Sequence, residues 1–222
     1  MPNPARAAER ALEFVKDGTA IGLGTGRAAA AFIEALGQRV QAGLRVRGVP
    51  TSRASAELAT RLGIPLVSLE DVDELDVTVD GADEVDPDLN LIKGKGGALL
   101  RERIVAECSR QLVIVVGQDK LVPRLGSGGV LPIEVVPFAL PLCQRRLGEL
   151  GWPAVLRMKD GERFLTDNGN YTLDWQIGPL DQPAELEAKI RAIPGIVGTG
   201  LMLGIADVVL VERGEQIETL RR

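Results

Sequence analysis

Short apolar runs with little polar interruption recur through the first half of the chain: TAIGLG, LRVRGV, IPLVSL, LDVTVD and LVIVVG. Between them lie stretches such as RAAAAFIEALGQRVQ and SAELATRLG, whose apolar residues return at the three- and four-residue spacing of a helix with one buried face. A strand that is apolar on both faces needs cover on both, which a parallel sheet flanked by helices provides. The alternation predicts an α/β fold built on a Rossmann-like parallel sheet.

After the glycines at 126–129 the order of elements changes. LPIEVVP reads as a strand, FALPLCQRRLGELG as a helix and AVLRM as a strand, while RFLTDNGNYTLDW is a strand turning at Asn168 and Gly169 into another. PAELEAKIRAI is a helix opened by Pro183, and GIVGTGLML a last strand. That succession, β-α-β-β-α-β, is the ferredoxin-like arrangement. The closing run IADVVLVERGEQIETL reads as strand, turn, strand, able to rejoin the first domain. The expected organisation is a Rossmann-like domain of residues 1–129 and 204–222, with a smaller ferredoxin-like α+β domain, residues 130–203, inserted before the last strands.

Composition narrows the function. The 222 residues are 45% hydrophobic and 26% charged, a globular balance long enough for one large domain or two modest ones. A formal charge of -5 with scattered basic residues argues against nucleic acid as a partner. The N-terminal stretch MPNPARAAERALEFV lacks the apolar core of a signal peptide, and no later segment has the apolar length to cross a bilayer. A soluble, cytoplasmic protein with no membrane partner is expected. Cys108 and Cys143 are far apart and outside any C-x-x-C spacing, against a disulfide framework or thiolate zinc site. The most restrictive number is zero histidines, which removes Ser-His-Asp and Cys-His catalysis and H-E-x-x-H zinc sites. Any general base is then a carboxylate, a lysine, a cysteine or Tyr171.

Four segments carry candidate chemistry. GLGTGRAAAAF follows a strand and opens a helix, so its glycines and the first helical N–H groups suit a phosphate, or form a tight turn that binds nothing. Gly24 to Ala29 also satisfies G-x-G-x-x-A, but the acid that a dinucleotide ribose needs about 20 residues on is missing between Glu34 and Glu57; Arg45 or Arg47 could receive a 2′-phosphate instead, which weakens NADP without excluding it. PTSRASAELA sets Thr51, Ser52 and Ser55 at a second strand-to-helix junction, as helix caps or as further anion contacts. In KGKGGALLRERIV, which is not a P-loop, Glu102 shares a helical face with Ala98, Leu99, Val105 and Ala106, where desolvation would favour use as a base. Leu100 and Ile104 form a second apolar face, so an ordinary solvated glutamate between Arg101 and Arg103 is the competing reading. Finally, ten acids lie between Glu70 and Asp88 with no Lys or Arg between Arg61 and Lys93. Asp80 and Asp83 stand where the LDVTVD strand ends, at the carboxyl edge used for ligands in open α/β sheets. They could serve an oxygen-ligated Mg²⁺ or Ca²⁺ or face sugar hydroxyls; the EF-hand pattern fails.

The order GLGTG, PTSRAS, DGADEVDP, KGKGGALLRE, GQDK and TDNGN resembles ribose-5-phosphate isomerase of the A type over nearly the whole chain. The resemblance implies an aldose-ketose isomerase of the non-oxidative pentose phosphate pathway, with no metal or organic cofactor, assembled as a homodimer or homotetramer. Its substrate would be a phosphosugar. By motif, Glu102 matches the catalytic base that moves a proton between C2 and C1 through an enediolate. Asp80, Gly81, Ala82 and Asp83 match the DGAD segment, whose aspartates hold the sugar hydroxyls and help open the ring. Lys93, Gly94, Lys95 and Gly96 match the substrate-binding K-G-x-G segment, and Lys120 a substrate-contacting lysine. Thr25, Gly26, Arg27 and Ala28 match a loop that usually reads T-G-S-T, so Arg27 and Ala28 replace its hydroxyl pair. Arg27 is expected to reach the phosphate or point to solvent, and Lys95 to be a surface side chain. Two alternatives stay open: an amino-sugar phosphate deaminase, which commonly needs a histidine, and a non-catalytic sugar-phosphate-binding regulator.

Overall fold

The computed structural model describes residues 5–222; residues 1–4, which begin the stretch read above for a leader, lie outside the described residues. In chain order the helices are α1 (Ala5–Ala11), α2 (Arg27–Gln41), α3 (Arg53–Arg61), α4 (Leu99–Glu107), α5 (Leu140–Glu149) and α6 (Pro183–Arg191). The strands begin with β1 (Thr19–Leu23), β2 (Val46–Pro50), β3 (Val77–Asp80), β4 (Glu84–Val85), β5 (Leu91–Ile92) and β6 (Leu112–Gly117). They continue with β7 (Val130–Val135), β8 (Ala154–Leu156), β9 (Met158–Lys159), β10 (Glu162–Arg163) and β11 (Tyr171–Gln176). The last are β12 (Ile196–Thr199), β13 (Leu201–Met202), β14 (Val208–Arg213) and β15 (Gln216–Arg221).

Contacts divide the chain into two units. The first, residues 5–82, Arg101–Leu121 and Ile205–Arg222, is built on a six-stranded sheet of order β15-β14-β6-β3-β1-β2. Every pairing is parallel except β14 with β15, so the large parallel sheet of an α/β protein is present. Its strands are apolar on both faces for the expected reason. Ile21, Leu23, Val77, Val79, Val113 and Val115 alternate onto one face, against Phe32, Ile33 and Leu36 of α2 and the alanines of α1. Ala20, Val49 and Leu75 form a separate cluster with Val105 of α4. A methyl on Gly22 would overlap Thr78 Oγ1 and Val105, so this glycine lets α4 lie close to the sheet. IPLVSL forms no strand: only Leu66 makes a bridge, to Gly48. Pro65 lacks the N–H a ladder needs, and Leu69 already enters a 3₁₀ turn capped by Ser68 and Asp71.

The second unit, Asp83–Leu100 and Val122–Gly204, holds an antiparallel sheet of order β12-β7-β11-β8, the ferredoxin-like order for elements met as β7, α5, β8, β11, α6, β12. Its core gathers Leu131, Ile133 and Val135 with Leu147, Leu173 and Ile190 around the fully buried Trp175. Trp152 meets that ring edge-on at 5.4 Å, and Trp175 Nε1 donates to Trp152 O at 2.6 Å, satisfying the buried indole. The expected RFL strand is absent from this sheet. β9 and β10 close their own small hairpin, and Leu165 contributes one bridge to Tyr171 before the turn at Gly169. A three-stranded sheet, β13-β5-β4, belongs to this unit and draws residues 83–100 into it. Contacts therefore begin the second unit at Val122 on one side and include the DGADE tail on the other, instead of starting at residue 130.

Glu212 on β14 is 6% exposed, accepts a hydrogen bond from the Ala7 backbone and leaves Oε2 without a hydrogen-bond partner among the described residues. Burial raises its carboxyl above the ordinary 4.5, outweighing Ala7 and the nearby Arg6. The folded state thus holds this proton more tightly than the unfolded chain, and stability contributed here falls as pH rises from the unfolded value through the folded one. Glu212→Gln should raise the melting temperature at pH 7.5, by on the order of 2 °C, and the gain should shrink towards pH 4. Thermal unfolding followed by circular dichroism checks this, and an equal or larger gain at pH 4 would contradict it.

Candidate active site

In the first unit the GLGTG loop is built on hydrogen bonds to one carboxylate. β1 ends at Leu23 beside β3, whose last residue is Asp80. Asp80 is 1% exposed, and its Oδ1 accepts from Thr25 N at 3.1 Å and Gly81 N at 2.7 Å. A methyl on Gly24 would overlap this carboxylate and Val79 O, so only glycine allows the approach. Gly26, at φ +102°, then turns the chain into α2, whose N-terminus has no side-chain cap. Thr25 Oγ1 lies 2.7 Å from Thr51 Oγ1, 2.8 Å from Ser52 Oγ and 3.3 Å from Ser55 Oγ. Ser52 caps α3 by accepting from Ser55 N, while Ser55 Oγ donates to Gly24 O at 2.6 Å. The three hydroxyls are thus cap and loop brace. Arg27 is exposed, and Ala28 is half-buried beside Gly81.

Glu102 stands in the first turn of α4 and is 4% exposed. Ala98, Leu99, Val105 and Ala106 are buried with it, whereas Ile104 is 43% exposed, so the competing reading of a solvated glutamate is removed. Lys120 follows β6 in a 3₁₀ turn, its side chain 28% exposed and 3.5 Å from Asp119.

In the second unit, Asp83 Oδ2 accepts from Lys95 N at 2.9 Å, while Asp83 N donates to Ile92 O. Lys93 is 4% exposed and its N–H pairs with Gly200 O at 2.9 Å. The turn that follows has positive φ at Gly94 and Gly97, and the Phe164 ring fills the space a Gly97 side chain would need. Lys95 and Gly96 are exposed. Among the described residues no group of three or more His, Cys, Asp or Glu could hold a metal, and no helix is long and apolar enough to cross a membrane.

The remaining acids of DGADEVDP also serve backbone. Glu84, 4% exposed, accepts from Gly126 N at 2.6 Å and from Gly128 N. Asp86 Oδ1 accepts from Asp88 N at 3.0 Å and Asn90 N at 2.8 Å. Sequence reasoning missed Glu134, Arg157 and Asp174. The fully buried Glu134 takes Thr166, Asn168 and Asn170 side chains on one oxygen, at 2.9, 3.2 and 2.9 Å, fixing the TDNGN turn. Arg157 pairs with Asp174 and donates to Gly94 O at 2.9 Å. The available signal was a charged residue inside an apolar strand pattern, as in LPIEV and YTLDW.

The family model described as ribose 5-phosphate isomerase A (phosphoriboisomerase A) matches residues 47–216. Ribose-5-phosphate isomerase A of Gloeobacter violaceus is 51% identical over 215 residues, covering 96% of this chain and 94% of its own length. The Bradyrhizobium diazoefficiens protein of the same name is 48% identical over 228 residues, covering 98% and 94%. Among solved structures, ribose 5-phosphate isomerase A from Methanocaldococcus jannaschii superposes with a TM-score of 0.94 at 41% identity, over 99% of this chain and 98% of that one. A D-ribose-5-phosphate isomerase in complex with phospho-erythronic acid gives 0.94 at 40% identity, over 99% and 97%.

The contact between Gly24 and Asp80 can be probed directly. Gly24→Ala should lower stability by about 1–3 kcal/mol, because the loop or the carboxylate must move. Urea denaturation measures it, and an unchanged midpoint would show that the loop adapts freely.

Proposed function

The chain belongs to the ribose 5-phosphate isomerase A family, and on that premise we propose that Glu102 is the base with which it interconverts ribose 5-phosphate and ribulose 5-phosphate. The observation that carries the proposal is a carboxylate 4% exposed in the first turn of a helix, on the face shared with Ala98, Leu99, Val105 and Ala106. In the open-chain aldose, Glu102 takes the proton from C2 as the electron pair of that C–H bond moves to form the enediolate. The proton then returns to C1, and the hydroxyl proton passes from O2 to O1, leaving the carbonyl at C2. Such a base supplies roughly 10²–10⁴-fold in rate. Lys93 and the N–H groups of Gly94 and Gly96 stabilise the enediolate oxygen, and each well-aimed donor is worth about 3–4 kcal/mol. Asp80, Gly81, Ala82 and Asp83 hold the sugar. The N-terminus of α2, with Thr25, Gly26, Arg27 and Ala28, takes the phosphate at the positive end of the helix. Lys120 contacts the substrate.

That a relative at 40% identity is known in complex with phospho-erythronic acid, a phosphorylated sugar acid, supports this substrate class. We place the enzyme in the pentose phosphate pathway and the cytoplasm, as a homodimer or homotetramer. Light scattering in solution should give two or four times the chain mass, and a monomer would refute that part.

Glu102→Gln should lower kcat by ~10²- to 10⁴-fold while the protein folds and still binds the phosphosugar; near wild-type turnover would refute the base. EDTA should leave the rate unchanged, and a rate that returns only with added Mg²⁺ would refute metal-free chemistry.

A further inference from the structure

The 93–97 turn is held from behind by one side chain. Arg157 Nη1 donates to Gly94 O at 2.9 Å and to Lys95 O at 3.3 Å. Its Nε donates to Asp174 Oδ2 at 2.9 Å and its Nη2 to Oδ1, a two-point pair with side chains 14% and 24% exposed. The guanidinium carbon lies 5.8 Å from the centroid of Phe164, the ring that packs on Gly97, and Phe164 N donates to Arg157 O at 3.0 Å. The strand pairing sets the spacing. Asp174 lies on β11 opposite Val155 of β8, and Arg157, just past the end of β8, donates its N–H to Thr172 O of β11 at 2.9 Å, which sets acid and guanidinium side by side.

A trans peptide directs its C=O and N–H to opposite sides. Lys95 N already donates to Asp83, which fixes the Gly94–Lys95 peptide from its other end. With Lys95 O turned to Arg157, the N–H of the exposed Gly96 is aimed away from the clamp. We infer that Arg157, locked by Asp174, is a positioning residue that orients the Gly96 N–H of the 94–96 turn for the enediolate oxygen. The inference rests on the reading of that turn as the segment that stabilises the enediolate. Hydrogen bonds to a developing charge weaken steeply with angle, so freeing two carbonyls affects the transition state more than the ground state.

The test compares Arg157→Ala, Arg157→Lys and Lys93→Met as full chains, with kcat and KM for ribose 5-phosphate and melting temperature for each. Arg157→Ala should lose ~10- to 100-fold in kcat with KM within about threefold of wild type. Low-millimolar guanidinium, far below denaturing levels, should restore several-fold of that loss, and should not accelerate the wild type. Arg157→Lys should stay impaired, because an ammonium cannot bind the carboxylate at two points and meet both carbonyls. Wild-type kcat in Arg157→Ala overturns the inference, as does a loss that guanidinium leaves untouched in a protein of lowered melting temperature. Should Arg157→Ala fail to fold, Arg157→Lys decides: wild-type kcat overturns, a lowered kcat at unchanged KM supports. Wild-type kinetics in Lys93→Met would instead remove the reading of the turn itself. An impaired Lys93→Met beside a wild-type Arg157 pair would remove only the clamp.

Discussion

The loop that opens α2 is organised by a single buried carboxylate. Asp80 ends a strand flanked by β6 and β1 and accepts two backbone N–H groups, Thr25 and Gly81, on one oxygen. Irregular backbone at a sheet's carboxyl edge has no ladder to join, and an unpaired buried N–H there costs about 1–3 kcal/mol. Charge-assisted bonds from Asp80 meet that cost and also fix where Gly24 can lie. From that fixed point Thr25 meets Thr51, Ser52 and Ser55, so the start of α3 is tied to the start of α2.

The same solution recurs in the second unit, which explains the acid-rich stretch better than a metal would. Asp83 takes Lys95 N, Glu84 takes Gly126 and Gly128, Asp86 takes Asp88 and Asn90, and Glu134 takes the TDNGN side chains. Each carboxylate replaces a missing strand or helix partner for a glycine- or asparagine-rich turn. What looked in sequence like a pool of negative charge is a set of separate anchors, each with its own loop.

This distinction marks how far the sequence could be read. Strands such as LVIVVG are legible because burial on both faces leaves an unbroken apolar run, and Glu102 is legible because helical periodicity puts it among buried neighbours. IPLVSL has the same composition as a strand, yet Pro65 and the Ser68 cap end it after one bridge. The short β4 and β5 were invisible for the opposite reason. Two-residue strands have no periodicity to detect, and their third partner, β13, is over a hundred residues away in sequence. Arg157 and Asp174 have the same difficulty, since only cross-strand register brings them together.

Why an arginine should stand behind the 93–97 turn follows from charge as much as from shape. Asp174 matches the guanidinium at two points, so the pair adds geometry with little net charge, and the remaining N–H groups are free to take the Gly94 and Lys95 carbonyls. Lys93, 4% exposed, then remains the buried cation of that turn's own sequence, Lys95 being exposed. A second uncompensated cation beside the peptide would raise the cost of burying Lys93. Pairing the clamp with its own carboxylate separates the two tasks in the proposed site: Arg157 would set where the backbone dipoles point, and Lys93 would supply the charge.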